Sequence, residues 1–198
     1  MTVVDEEPPA TVDEPEAPEI PFLDVTKADP FYSAIVYAYK SGLMNGVSET
    51  EFSSTGTLTR AMFVTILGRL AMIDPADYTE CPFTDCETLG DWDYTPYVAW
   101  AAENGIVLGY GDGRFGPSDP VTNEQVVLML QRFAAYLDYE IVIPEIAYEG
   151  ASPWAAPAVA WAYENAIYPT ETETEFTTPA QRGWTARAIY NLVGFMIK

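Results

Sequence analysis

The chain has 198 residues, 48% of them hydrophobic and 14% aromatic, which is enough apolar side chain to bury a core and excludes a disordered polymer. Its 30 acidic residues against 9 basic ones leave a formal net charge of −21. That field repels phosphate backbones and anionic lipid, so nucleic-acid and membrane-surface partners are not expected. Histidine is absent, which removes imidazole-activated nucleophiles and most zinc sites and lowers the case for an enzyme.

In chain order, residues 1–20 form an acidic, proline-rich stretch with Pro8, Pro9, Pro15 and Pro18. Such a segment cannot bury a core and reads as an extended, self-repelling linker. Its first residues, Met1 to Glu7, carry neither the charged nor the apolar part of a signal peptide. An exported chain of this kind would be a mature form or a fragment. No run approaches the roughly 18 apolar residues that cross a bilayer, so membrane insertion is not expected.

From Phe22 onward the chain repeats itself. Phe22-Leu23-Asp24-Val25 recurs as Phe83-Thr84-Asp85-Cys86. A helical stretch follows in each copy, over 31–41, 94–104 and 154–165, with an aromatic at matching places that include Trp100 and Trp161. The first two stretches end in Ser41-Gly42-Leu43-Met44-Asn45-Gly46 and Asn104-Gly105-Ile106-Val107-Leu108-Gly109, while the third, Asn165-Ala166-Ile167-Tyr168-Pro169-Thr170, has lost both glycines. Gly42 and Gly105 suit left-handed helix caps, and Gly46 and Gly109 suit tight turns with bare backbone. A loop then leads to a second helix, capped by Thr59 or Thr122, with Phe63, Ile66 and Leu67 or Val126, Val127 and Leu130 at helical spacing. The reading is all-α, with repeats at 21–80, 81–143 and 144–198.

Several groups have plain structural readings. Cys81 and Cys86 flank Pro82-Phe83-Thr84-Asp85 and, with no other Cys or His, cannot complete a tetrahedral zinc site. They form either a short local disulfide or two free thiols. Asp112-Gly113-Arg114 lacks the alternating carboxylates of a calcium loop. Carboxylate pairs such as Glu6-Glu7 and Asp91-Asp93 read as solvated surface, and no cofactor or metal is expected.

The ordered set of F-x-D start, aromatic-Ala helix, Gly105-Ile106-Val107-Leu108-Gly109, Tyr110-Gly111-Asp112-Gly113-Arg114-Phe115-Gly116-Pro117 and Leu58-Thr59-Arg60-Ala61 resembles the S-layer homology family. The resemblance covers about residues 21 to 198. It implies three helix–loop–helix repeats in a pseudo-threefold bundle, non-catalytic and extracellular at the cell wall. It also implies inter-repeat grooves that bind cell-wall polysaccharide, often through a pyruvylated sugar, with self-association in a surface layer as a further expectation. An anionic sugar calls for an Arg fork, bare backbone donors and an aromatic face. The resemblance puts the arginine at Arg60, and the candidates for the rest are the backbone near Gly46 and Gly109 and the ring of Tyr110. Trp100 and Trp161 read as core packing or as sugar-stacking faces, Asp24 and Asp85 as caps of the following turn or as ligand contacts. The motif arginine is replaced by Asn123 in repeat 2. In repeat 3 two registers are open: Thr178 as the cap puts Pro179 in the arginine's place, whereas the hydrophobic spacing of Ile189 and Leu192 puts Arg182 there. Losing motif arginines also fits another function, a structural assembly module without glycan binding.

Overall fold

The computed structural model describes residues 19–86 and 93–197. The leader through residue 18, Glu6-Glu7 and Asp91 fall outside those residues. The chain is all-α among the described residues. Its helices are α1 (Tyr32–Lys40), α2 (Arg60–Leu70), α3 (Thr95–Glu103), α4 (Asn123–Tyr136), α5 (Ala156–Glu164) and α6 (Arg182–Met196). A single 3₁₀ turn, Pro75–Asp77, lies between α2 and α3.

The shorter helices α1, α3 and α5 start and stop for local reasons. Asp29 accepts from Phe31 N at 2.7 Å and Asp93 from Thr95 N at 2.9 Å, turning the chain into α1 and α3. Just past the other end, Gly42 and Gly105 both sit at φ +68°, the left-handed conformation that ends a helix at little cost to glycine. Repeat 3 makes the same turn with Ala166 at φ +54°, where a Cβ is strained.

The longer helices are tied to one another. Thr59 caps α2 through Met62 N, and Thr122 forms a capping box with Gln125 on α4. The first N–H groups of each helix, which no helix can satisfy internally, donate to the loop of the next repeat. Arg60 N reaches Asp119 O (2.9 Å), Asn123 N reaches Thr178 O (3.1 Å), and Arg182 N reaches Gly56 O (2.7 Å), which closes the circle. Just ahead of the helices, Val121 N donates to Leu58 O, Ala180 N to Val121 O and Leu58 N back to Ala180 O, at 3.0, 2.8 and 3.4 Å. This cycle of main-chain bonds stands on the pseudo-threefold axis. It also sets the register of repeat 3: α6 begins at Arg182, so Pro179 does not stand in the arginine's place but matches Pro120 in the paired strandlets.

Side-chain packing follows the same cyclic order, with α3 on α2, α5 on α4, and α1 on α6. The apolar faces merge into one core in which Trp100, Trp161, Trp184, Phe63, Phe115 and Phe133 are fully buried. At the N-terminal edge, Ile20 is buried in this core and Glu19 pairs with Lys40 at 3.1 Å. Cys81 and Cys86 are disulfide-bonded, bracketing Phe83 and Asp85.

Candidate functional site

The cyclic packing leaves grooves where the start of one repeat's long helix meets the turn and long helix of the next. Two of them carry cations. The first is lined by Arg182 from repeat 3, the Leu43–Gly46 turn, and Met62, Ile66 and Arg69 of α2, with a volume of about 170 Å³. The second, of about 510 Å³, is lined by Arg60, the Ile106–Tyr110 turn, and Gln125, Met129 and Arg132 of α4, with Trp154 from repeat 3.

Each groove is built the same way. Arg60 donates through Nε to Phe115 O at 2.9 Å, and its guanidinium lies over the Phe115 and Tyr110 rings at 4.7 and 4.8 Å. Arg182 donates through Nε to Phe52 O at 2.8 Å and through Nη2 to Asn45 O, with its guanidinium 4.6 Å from the Phe52 ring. Further along the helices, Arg69 reaches Leu43 O at 3.1 Å and Arg132 reaches Ile106 O at 3.3 Å, clamping the turn that forms the groove wall. Tyr110 is oriented by its hydroxyl bond to Asp119 Oδ2, 2.8 Å.

Among the described residues these arginines have no carboxylate at ion-pair distance. The ion pairs among the described residues are Lys40–Glu19, Arg114–Asp112 and Arg187–Glu171. Burial pulls the Arg60 guanidinium below its ordinary pKa, opposed by Tyr110, Asp119 and Asp85. Burial does the same to Arg182, opposed by Asp24, and to Arg132. Arginine keeps its charge under such shifts. Two grooves therefore hold desolvated positive charge inside a strongly negative protein, an arrangement that costs stability unless an anion completes it.

Asp24 and Asp85 do not line either groove but fasten its wall. Asp24 accepts from Phe52 N and Ser53 N at 2.9 and 2.7 Å, and Asp85 accepts from Phe115 N and Gly116 N, both at 2.8 Å. Each carboxylate thus holds the loop whose carbonyl receives the groove arginine. Gly46 and Gly109 line the grooves, and among the described residues neither N–H has a hydrogen-bond partner. Their lack of a side chain also has a packing cause. A Cβ on Gly46 would strike the Phe22 ring, and one on Gly109 would lie 2.5 Å from Arg114 O and 2.6 Å from the Phe83 ring. Of the two readings of Trp100 and Trp161, core packing holds and sugar stacking is corrected. Both are fully buried, Trp100 against Phe133 and Trp161 against Phe195, which leaves no ring face for a sugar.

The third groove position is different. Asn123 stands where Arg60 and Arg182 stand, bonded to Glu175 O and Thr178 Oγ1. Asn191 replaces Arg69 and Arg132 in clamping the turn, through Ile167 O at 3.3 Å. Tyr168 and Trp184, both buried and in edge contact with ring centroids 5.1 Å apart, fill the space between. This position has no arginine at either matching place, and the cation beside it, Arg187, is already held by Glu171 and the Pro30 carbonyl. The sequence singled out neither Trp154 as a groove residue nor Arg69 and Arg132 as clamps of the groove wall. The sequence places the helical stretch from 154, whereas α5 begins at Ala156, so Trp154 stands ahead of the helix and outside the stripe that packs the core.

The family model of the S-layer homology domain matches residues 21–62 and 82–127. A protein named endoglucanase from Bacillus sp. (strain KSM-635) is 35% identical over 136 residues, which are 69% of this chain and 14% of that protein. A cell surface protein of Thermoanaerobacter kivui is 26% identical over 127 residues, 61% of the chain and 16% of that protein. The surface-layer 125 kDa protein of Lysinibacillus sphaericus is 30% identical over 125 residues, 61% of the chain and 10% of that protein. The chain thus spans only a small fraction of the length of the relatives it matches.

Proposed function

The chain belongs to the S-layer homology domain family, a non-catalytic cell-surface anchoring module, and we propose that it fastens its parent protein to the cell wall by binding an anionic wall polysaccharide in its two arginine-bearing grooves. The observation that carries this reading is the unpaired, desolvated arginine in each groove, Arg60 and Arg182, in a chain with a net charge of −21. A sugar carboxylate supplies the missing counter-charge, and the guanidinium fork presents parallel donors to it. The N–H groups of Gly46 and Gly109 lie on the same walls and suit further polar contacts. Two grooves on one rigid body add avidity along a repeating polymer.

The segment shared with the endoglucanase is 14% of that protein, so the likeness is one of attachment module and not of active site. Among the described residues no helix is long and apolar enough to cross a membrane. On the reading proposed here, a wall polysaccharide holds the module at the cell surface.

The test is co-sedimentation of the purified chain with cell walls, before and after the non-peptidoglycan polysaccharide is stripped. Pelleting that vanishes on stripping, and falls when Arg60 and Arg182 are both changed to Gln, supports the reading. Pelleting indifferent to stripping, or none at all, refutes it and leaves the assembly module without glycan binding as the better account.

A further inference from the structure

The two cationic grooves share their paired arginines and turn but differ at the rim, where the Arg60 groove alone has Leu108, Tyr110 and Trp154. Pro30, Asp93 and Trp154 are equivalent residues, each two places ahead of the first residue of α1, α3 and α5. Pro30 stands nearest the closed third groove, where its carbonyl receives Arg187. Asp93 is a helix-capping carboxylate and lines neither cationic groove. Trp154 lines the Arg60 groove, is 53% exposed, and takes no part in the core cluster. The exposed Leu108 and Tyr110 share that rim, at 65% and 44%. A tryptophan held in the open beside the buried Arg60 and the half-buried Arg132 keeps a large apolar ring in water and stabilises nothing that the fold reveals.

We infer that Trp154 is a stacking platform for a pyranose ring, and that it makes the Arg60 groove the high-affinity site and the Arg182 groove an accessory one. The inference rests on the glycan reading proposed above. A pyranose has an apolar C–H face and a polar edge. Laid on the Trp154 indole, an anionic pyranose turns its carboxylate towards Arg60 and Arg132, matching the groove's apolar rim and cationic floor. The Arg182 groove offers the charge without the platform and has about 170 Å³ against about 510 Å³. Attachment would then begin at one point, with the second groove engaging along the same polymer once the first is filled.

The experiment is isothermal titration of the full chain with polysaccharide released from cell walls by hydrofluoric acid, and with the same material after chemical reduction of its carboxyl groups. The variants are Trp154→Ala, Trp154→Phe, Arg60→Gln and Arg182→Gln, each checked for an unchanged circular-dichroism spectrum. Expected is a high-affinity phase that Trp154→Ala weakens about tenfold or more, as loss of a stacked aromatic anchor does. Trp154→Phe keeps most of it, Arg182→Gln spares it, and carboxyl reduction abolishes it. Wild-type binding that Arg60→Gln weakens and Trp154→Ala leaves intact overturns the platform while the glycan reading stands. An Arg182→Gln loss equal to that of Arg60→Gln overturns the ranking of the grooves. No binding by the unaltered chain overturns the glycan reading and the platform together. Because Trp154 is exposed, its variants report on binding even where an arginine variant loses the fold.

Discussion

Changing Asp85 to Ala separates a residue that builds the groove from one that touches ligand. The carboxylate receives two N–H bonds, from Phe115 and Gly116 at 2.8 Å each, and both of those residues are buried. Each stranded buried donor costs about 1–3 kcal/mol, and Asp85 is only half-buried, so water restores part of the loss. The expected fall in unfolding free energy is therefore about 2–4 kcal/mol, or a Tm lower by about 4–16 °C for a chain of this size. Asp85→Asn retains one acceptor and should fall about halfway. Urea denaturation followed by circular dichroism measures it, the slope remaining unchanged because the same surface is exposed on unfolding. The loop that Asp85 holds also carries the carbonyl for Arg60, so wall binding should weaken in proportion. A loss of stability below about 0.5 kcal/mol would show that the loop does not depend on these bonds. Normal stability with lost wall binding would instead make Asp85 a contact residue, and the structural account would fail.

Ala166→Gly relieves a left-handed alanine and should raise stability by about 0.5 kcal/mol after the extra chain entropy of glycine, while Gly105→Ala at the matching position should lower it by about 1 kcal/mol. Denaturant midpoints of the pair check this, and equal effects of one sign would refute it. Replacing Cys81 and Cys86 together by Ser opens a short loop and should cost about 2 kcal/mol on the chain-entropy account, read by the same unfolding assay. Burial raises the Tyr168 phenol to about 12, so its native state keeps a proton that the unfolded chain releases. Stability from this group is complete below the ordinary tyrosine pKa and is lost as the pH climbs from about 10 towards 12. Alkaline unfolding of Tyr168→Phe should show a shallower decline over that window, and an identical decline would exclude the assignment.

The repeat pattern, the helix caps at Thr59 and Thr122, and the glycine turns at Gly42 and Gly105 were legible because they follow from local rules that a helix end must obey. The place of Arg60 at the head of α2 was legible for the same reason. What repeat 3 does was not. Its Thr178-Pro179 cap signal is locally sound, yet three-way main-chain pairing through Leu58, Val121 and Ala180 sets the register instead, and those partners lie in other repeats. Trp100 and Trp161 could not be decided for a related cause. An aromatic beside alanines on a helix looks the same in sequence whether it faces a groove or another helix, and only the neighbouring long helices α4 and α6 decide it. Trp154 escaped notice because the helical stretch reads from 154 in sequence, while the helix starts at Ala156 and leaves that ring off its packed face.

The closed circle of bonds among Leu58, Val121 and Ala180 has a consequence for how such anchors can grow. In an open solenoid a repeat can be added at either end, because every junction is the same and a cap suffices to finish it. Here the third copy returns to the first, so the body has no end at which a fourth could dock and no smaller version in which every main-chain bond is made. Wall attachment of this kind comes in indivisible lots of three repeats. A lineage that needs more such repeats must duplicate the entire trio.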